Sequence, residues 1–528
     1  MKGLTNAMYS EKFIETVCIP LMNGERLWGG RITDGLHMPY QPGFEADLID
    51  PHGNQVSYLL VSNKGRVIWS DAPFYFKVGK TSLIISARDA LSRRFAGDSL
   101  ASALEFVRKT VFPRPEGLMA PDDMFTAPQF NTWIELIYNQ NQAGILDYAE
   151  NIVKCGYKPG VLMIDNGWEE NYGVWYFNGR RFPDPHAMMD RLHELGFKVI
   201  LWMVPFVTAD TFTFQLMCRK DPTMFVRTQS GEPAIVKWWE GYSALLDFSN
   251  PAAMDWMRSE LKRLQDEYGV DGFKFDAGAP SFYAQEYVYF EPGCWGDRQT
   301  RLFCELAAEY PYSELRECAS EPQLTCAQRL RDKIPSWTGG EGLDALIPDT
   351  LSQGMNGYYD VCPDMIGGGE YSCFMYGNLK LDEELFVRWA QCSALLPMMQ
   401  FSAAPWRVLS EKNARLCVQA ADLHDRFAPY ILKVVKASHE TGIPAVSPME
   451  VLFPGKGYEE IKDQFMIGRN VLVAPVVTKG AVTRNVVLPD GTWRADDGTV
   501  YEGGCSVTIA TPIERLPYFI REGAEVFA

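Results

Sequence analysis

The stretch from Lys198 to Asp276 constrains the chain most, because it spells a strand, a helix and a second strand in succession. Lys198–Met203 is a short apolar run, and Gly272-Phe273-Lys274-Phe275-Asp276 is another. Between them Met254, Met257, Leu261, Leu264 and Tyr268 recur at spacings of 3, 4, 3 and 4, which is one apolar stripe along a helix. Asn250 before Pro251 supplies an N-cap with proline at the first helical position, and Gly269 supplies the stop. The same grammar appears upstream. Val161-Leu162-Met163-Ile164-Asp165 is a strand ending in a carboxylate, and a helix runs from Asp184-Pro185 to Gly196. Such units, repeated over roughly 300 residues, build either a closed (β/α)8 barrel or an open doubly wound sheet.

The open sheet would carry a phosphate-binding glycine turn, and none is found. Gly79-Lys80-Thr81 resembles the end of a P-loop, but Phe74 stands where its first glycine belongs, and Gly367-Gly368-Gly369 does not form GxGxxG after a strand. The barrel is therefore expected over residues 125–440, closed by a long helix from Leu409 to about Glu440. An insertion around 208–248 is too long for a simple loop and reads as lid-like. Residues 1–115 are short β-like runs split by turns such as Asn63-Lys64-Gly65, and residues 441–528 return to that pattern. The expected fold class is thus α/β, a (β/α)8 TIM barrel flanked by an N-terminal and a C-terminal β-sandwich.

Composition narrows the function. The net charge is −17 at pH 7, and an acidic surface repels phosphate backbones, so nucleic acid is not expected as a partner. The longest purely apolar run, Val199 to Val207, is too short to cross a bilayer, and the first residues lack a signal-peptide core, so no membrane association is expected. The twelve cysteines are scattered without a CxxC pair, which suits reduced thiols in a cytoplasmic protein. Six histidines occur, without HExxH or a zinc-spaced cluster, and there is no GxSxG. No metal or cofactor is expected, and a homo-oligomer is left open.

In a barrel the chemistry sits at the C-terminal ends of the strands. Asp165, Asp276 and Asp364 each end an apolar run there. Strand parity puts Phe273 and Phe275 on one face and Lys274 and Asp276 on the other, so Lys274 and Asp276 face the barrel axis if the phenylalanines meet the helices. One carboxylate beside a lysine is equally well a structural ion pair. Several carboxylates at successive strand tips repel one another, and that arrangement suits cleavage of a glycosidic bond by an attacking carboxylate and a proton donor.

Gly272-Phe273-Lys274-Phe275-Asp276-Ala277-Gly278 resembles the nucleophile strand of glycoside hydrolase family 31, the retaining α-glycosidases. The resemblance extends through Val471-Leu472-Val473-Ala474-Pro475-Val476, Val487 to Trp493 and Pro517 to Gly523. It implies Asp276 as nucleophile. Ile164 to Trp168 resembles the segment binding the sugar's far hydroxyls, and Leu201 to Phe206 resembles the next strand. Asp165, Trp168, Trp202, Lys274, Arg316 and Asp364 are the substrate-binding candidates, and Trp133, Trp238 and Trp239 are further stacking walls. The family's Trp-x-Gly-Asp acid motif is absent, since Trp337-Thr338-Gly339-Gly340 has glycine at the acid position. The family also has a substrate-binding arginine sixteen residues before its acid, and Arg316 points in this way to Asp332. Asp332 is chosen as acid/base, with Asp344 and Glu341 as substitutes. After Arg388-Trp389 no histidine occupies Leu396 to Ser402, and Cys362 to Gly368 also departs from the glucosidase form. Both segments look like the α-galactosidase-like branch. The implied activity is an exo-α-glycosidase acting on a small oligosaccharide or glycoside, most of all α-galactosides. An α-glucosidase or sulfoquinovosidase of the same fold, or a silent sugar-binding relative, is the alternative.

Overall fold

The helix announced by the Met254 stripe spans Pro251–Tyr268, with the Asn250 side chain accepting from Ala252 N and Gly269 left-handed at φ 70°. Met257, Leu261 and Leu264 are fully buried, each adding about 1.5–3 kcal/mol relative to exposure. The computed structural model describes residues 13–527 apart from 116, 118, 325 and 376–380.

Counting barrel strands only, β1 is Gln129–Asn131, β2 Val161–Ile164, β3 Lys198–Met203, β4 Gly272–Phe275, β5 Tyr312–Leu315, β6 Ala327–Arg329, β7 Val361–Cys362 and β8 Gln400–Phe401. They form one parallel sheet in the order β7-β6-β5-β4-β3-β2-β1-β8. Strand pairing stops between β7 and β8, where Ile366 N donates to Gln400 O at 2.9 Å, so the barrel is nearly closed. Around it lie α1 (Gln142–Lys154), α2 (Pro185–Glu194), α3 (Pro251–Tyr268), α4 (Gly296–Ala307), α5 (Leu343–Met355), α6 (Glu383–Ala394) and α7 (Glu411–Thr441). Helix α7 is the long closing helix expected from the sequence.

The insertion after β3 is a three-stranded antiparallel sheet of Phe206–Thr208, Gly241–Leu245 and Ile235–Trp238, with a helix at Phe212–Lys220. The N-terminal region holds two sheets of mostly antiparallel strands. One is four-stranded; the other pairs Gln55–Ser62 with Leu27–Arg31 and Arg66–Trp69. Beyond α7 come a six-stranded sheet and the pair Thr483–Leu488 with Cys505–Ala510. Separate apolar cores fill the barrel, the N-terminal region and the C-terminal sheets. Among the described residues no helix is long and apolar enough to cross a membrane.

Candidate active site

Strand β4 delivers the site because its backbone runs close to β5. A Cβ at Gly272 would meet Tyr312 O at 1.8 Å, so only glycine fits. Phe273 and Phe275 turn outward onto Tyr310 and Phe303, with ring centroids 5.1 and 5.4 Å apart. Lys274 and Asp276 therefore point inward, as the parity of the strand requires. Lys274 Nζ donates to Asp165 Oδ2 at 2.7 Å, and both side chains are buried. Asp276 accepts from Trp202 Nε1 at 3.0 Å, from Arg316 Nε at 2.6 Å and from Ala277 N at 2.9 Å. Ala277 holds φ 56°, a left-handed conformation costing a non-glycine residue about 1–2 kcal/mol, and there its N–H reaches the carboxylate. Burial acts to raise the Asp276 carboxyl. Arg316, then Lys274 and Arg329, overcome it and hold the group well below the usual carboxylate range, and the Trp202 hydrogen bond adds to this.

Arg329, at the tip of β6, is a junction that sequence reasoning missed. Fully buried, it donates from Nε to Glu314 at 2.9 Å and from Nη1 to Asp332 at 2.8 Å and Asp364 at 2.9 Å. Asp332 has a side chain 30% exposed, whereas Glu314 and Asp364 are 0%. The signal in the sequence was Ala327-Gln328-Arg329, a short run ending in a charge three residues before Asp332.

Asp165, Trp202, Lys274, Asp276, Arg316 and Asp332 line one cavity of about 210 Å³. That is smaller than the roughly 300–1,000 Å³ of clefts for drug-sized ligands. Trp133 and Trp239, expected as stacking walls, line it too. Asn166, inside the Ile164 to Trp168 segment but not singled out there, completes it with Glu370 and Tyr371, which were missed because loop positions carry no periodicity. Trp239 reaches the cavity from the turn of the insertion's hairpin, and its ring lies 5.3 Å from the Arg316 guanidinium. The neighbouring Glu240 accepts from Tyr138 O–H at 2.8 Å, which ties the hairpin to the barrel loop after β1.

Five candidates lie elsewhere. Trp238, expected as a stacking wall, is buried against Trp202 with ring centroids 6.4 Å apart and donates from Nε1 to Ser243 Oγ at 3.1 Å. Trp168 is fully buried, donating from Nε1 to Trp202 O at 3.0 Å, so it backs the wall instead of facing the cavity. Asp364 is also outside the lining; its carboxylate is occupied by Arg329 and by Lys333 N at 2.6 Å. Glu341 pairs with Arg331 on the surface, and Asp344 accepts from Gly340 N and Gly342 N at the start of α5. Glu317, which the sequence reading passed over, is buried with Oε1 3.4 Å from Arg316 Nη2. Burial pushes its carboxyl up to about 8, with Arg316 opposing and Asp276 adding to the rise.

Comparison with known proteins places this geometry. The family model described as "Glycosyl hydrolases family 31 TIM-barrel domain" matches residues 123–434, and "Glycosyl hydrolase family 31 C-terminal domain" matches 442–526. The chain is 33% identical to the myogenesis-regulating glycosidase of Mus musculus, over 77% of this chain and 57% of that one. It is 24% identical to the sulfoquinovosidase of Escherichia coli K12, over 69% of this chain and 56% of that one. The chain thus spans about half the length of these curated relatives. Among solved structures, a GH31 alpha-xylosidase from a soil metagenome, complexed with xylose, superposes with a TM-score of 0.83 at 22% identity, covering 97% of this chain and 80% of that one. The match of the family model over more than half of the residues shows that this chain belongs to glycosyl hydrolase family 31.

Proposed function

We propose that the protein is a retaining exo-α-glycosidase working by double displacement, with Asp276 as nucleophile and Asp332 as acid/base. The observation that carries this reading is that the two carboxylates share one small cavity in opposite settings. Asp276 is buried and held ionised by Arg316, as an attacking carboxylate must be, while Asp332 is part-exposed at the same cavity, within reach of water. In the first step Asp276 forms an ester with the anomeric carbon as the C–O bond to the leaving group breaks, and Asp332 gives its proton to the departing oxygen. In the second, Asp332 takes a proton from water, and that water breaks the ester and restores the α configuration. Asp165, tied to Lys274, and the indoles of Trp202 and Trp133 offer the sugar hydrogen-bonding and stacking partners. Trp168 and Asp364 act one layer back, on Trp202 and Arg329.

We infer α-galactosides as the first substrates, because the segments after β7 and at β8 carry the galactosidase-like form and no histidine. Relatives named alpha-glucosidase 2, alpha-xylosidase and sulfoquinovosidase make the other α-glycosides the competing choice. Chromogenic α-galactoside, α-glucoside, α-xyloside and α-sulfoquinovoside run side by side decide it. Preference for any of the last three removes the galactoside assignment, and no turnover of any removes the glycosidase. The domain division 1–115, 125–440 and 441–528, with sandwiches at both ends, belongs to the same reading. Limited proteolysis near 115–125 and 441 tests it.

A further inference from the structure

We infer that Gln55, in the N-terminal region, is a positioning residue that holds the arginines of both working carboxylates. The inference rests on the roles proposed above for Asp276 and Asp332. Strands β5 and β6 are parallel neighbours, with Glu314 opposite Ala327 and Leu315 opposite Gln328. Such neighbours need a crossover, usually a helix. Among the described residues no helix lies between them. The chain instead enters the N-terminal sheet, where Cys318–Ala319 pairs in parallel with Gln55–Val56 and Ser320 N donates to Val56 O at 2.7 Å. Arg316 therefore stands two residues from a strand that another region holds.

The Gln55 side chain closes this arrangement. It is fully buried, and its Nε2 donates to Arg316 O at 2.6 Å and to Arg329 O at 2.8 Å. Its Oε1 accepts from Gln353 Nε2 at 3.0 Å, and the same Gln353 amide donates to Gln328 O at 2.8 Å, which fixes which end of Gln55 faces the carbonyls. One primary amide thus spends its donors on the two strand tips that matter. Arg316 is the residue whose Nε meets Asp276, and Arg329 is the residue whose Nη1 meets Asp332. Among the described residues no other side chain donates to both of those carbonyls. Replacing it would free both carbonyls and let both guanidinium groups drift, and displacements near 1 Å at such positions cost roughly 100-fold in rate.

The test is Gln55→Leu in the full chain, which keeps the bulk and removes the donors. On whichever α-glycoside the wild type hydrolyses best, kcat should fall roughly 10- to 100-fold. The acid limb of kcat/KM should also move up, because a loosened Arg316 no longer holds the Asp276 carboxyl down. Ser57→Ala is the control: its hydroxyl donates to Asn356 O at 2.9 Å in the same junction without touching either arginine. It should lower the melting temperature and leave the limb in place. If Gln55→Leu does not fold, Gln353→Leu, which frees the Gln55 amide to turn, should give the same shift at smaller size. A uniform loss at every pH, matching Ser57→Ala, overturns the positioning role while leaving the glycosidase intact. A wild type that hydrolyses no α-glycoside overturns both.

Discussion

The tip of β4 and the loop after β6 face the same cavity, yet they hold their carboxylates by different means. Asp276 is pinned by an indole, a guanidinium and the following backbone N–H, all in the buried floor. Among the described residues the ion-pair partner of Asp332 is Arg329, which is shared with two other carboxylates. A nucleophile needs a fixed attack line and a stable charge, and the first arrangement supplies both. An acid/base must meet both the leaving group and water, and Asp332 is the one part-exposed carboxylate of the three that Arg329 joins. The contrast predicts that the two positions fail differently when changed.

The largest effect is expected at β4. Asp276→Asn keeps the shape of the side chain but cannot form the glycosyl ester, so turnover should fall by more than about 10⁴-fold, beyond what acid–base assistance alone supplies. The asparagine variant should remain folded, as circular dichroism would report. Turnover near the wild-type level would remove Asp276 from the mechanism.

Asp332→Ala should be the next most damaging, and selectively so. With natural leaving groups the loss should be roughly 10²–10⁴-fold, the share of general acid catalysis. With a dinitrophenyl glycoside, which departs unprotonated, the first step should survive. Azide should then restore turnover by attacking the intermediate and giving an α-glycosyl azide, detectable by NMR. Equal losses for both leaving groups would erase the distinction between the two carboxylates.

Asp276 was legible because a strand tip and its parity are local facts. Phe273 and Phe275 can only pack outward if Lys274 and Asp276 point in, and the helix before them announces itself by period, cap and stop. The neighbourhood of Asp332 was legible only by a ruler from Arg316. Strand β6 is three residues long, too short for any period, and its register comes from pairing with β5. Cys318–Ala319 is a two-residue strand in a sheet whose other members lie more than 200 residues earlier, so nothing local reports it. Arg329, Glu317 and Gln55 gain their meaning from that long-range pairing, which is why they went unread. Trp168 and Asp364 were recognised as parts of motifs, but motif membership does not say which layer a side chain occupies.

A smaller effect is expected at Glu317, behind Arg316. Its carboxyl is pushed up to about 8, from an unfolded value near 4.5, so the folded chain keeps a proton that the unfolded chain gives up. Stability from this group is fully present below about 4.5 and is lost as pH rises through about 8. Glu317→Gln is neutral throughout. Its melting temperature relative to wild type should therefore rise between pH 5 and pH 8.5, by an amount on the order of 1 kcal/mol or more in stability. A difference that stays constant with pH would show that Glu317 is ionised in the folded protein.

The smallest effects should come from the two carboxylates that compete with Asp332 by sequence position alone. Glu341 is an exposed partner of Arg331, and exposed ion pairs are worth roughly 0–1 kcal/mol, so Glu341→Ala should change neither stability nor turnover by more than about that. Asp344, in the first turn of α5, accepts from two backbone N–H groups of the preceding turn, and losing hydrogen bonds to a charged group at such a part-exposed place costs at most about 1.5–3 kcal/mol. Asp344→Ala should therefore lower the melting temperature by a few degrees without changing the ratio of rates for poor and good leaving groups. Neither side chain lines the cavity, so neither can deliver a proton to a leaving group held beside Asp276. Leaving-group dependence and azide rescue in one of these variants, together with their absence in Asp332→Ala, would move the acid/base to the entrance of α5. The cavity lined by Arg316 and Asp332 would then have to open in the substrate complex toward Glu341 and Asp344, which do not line it.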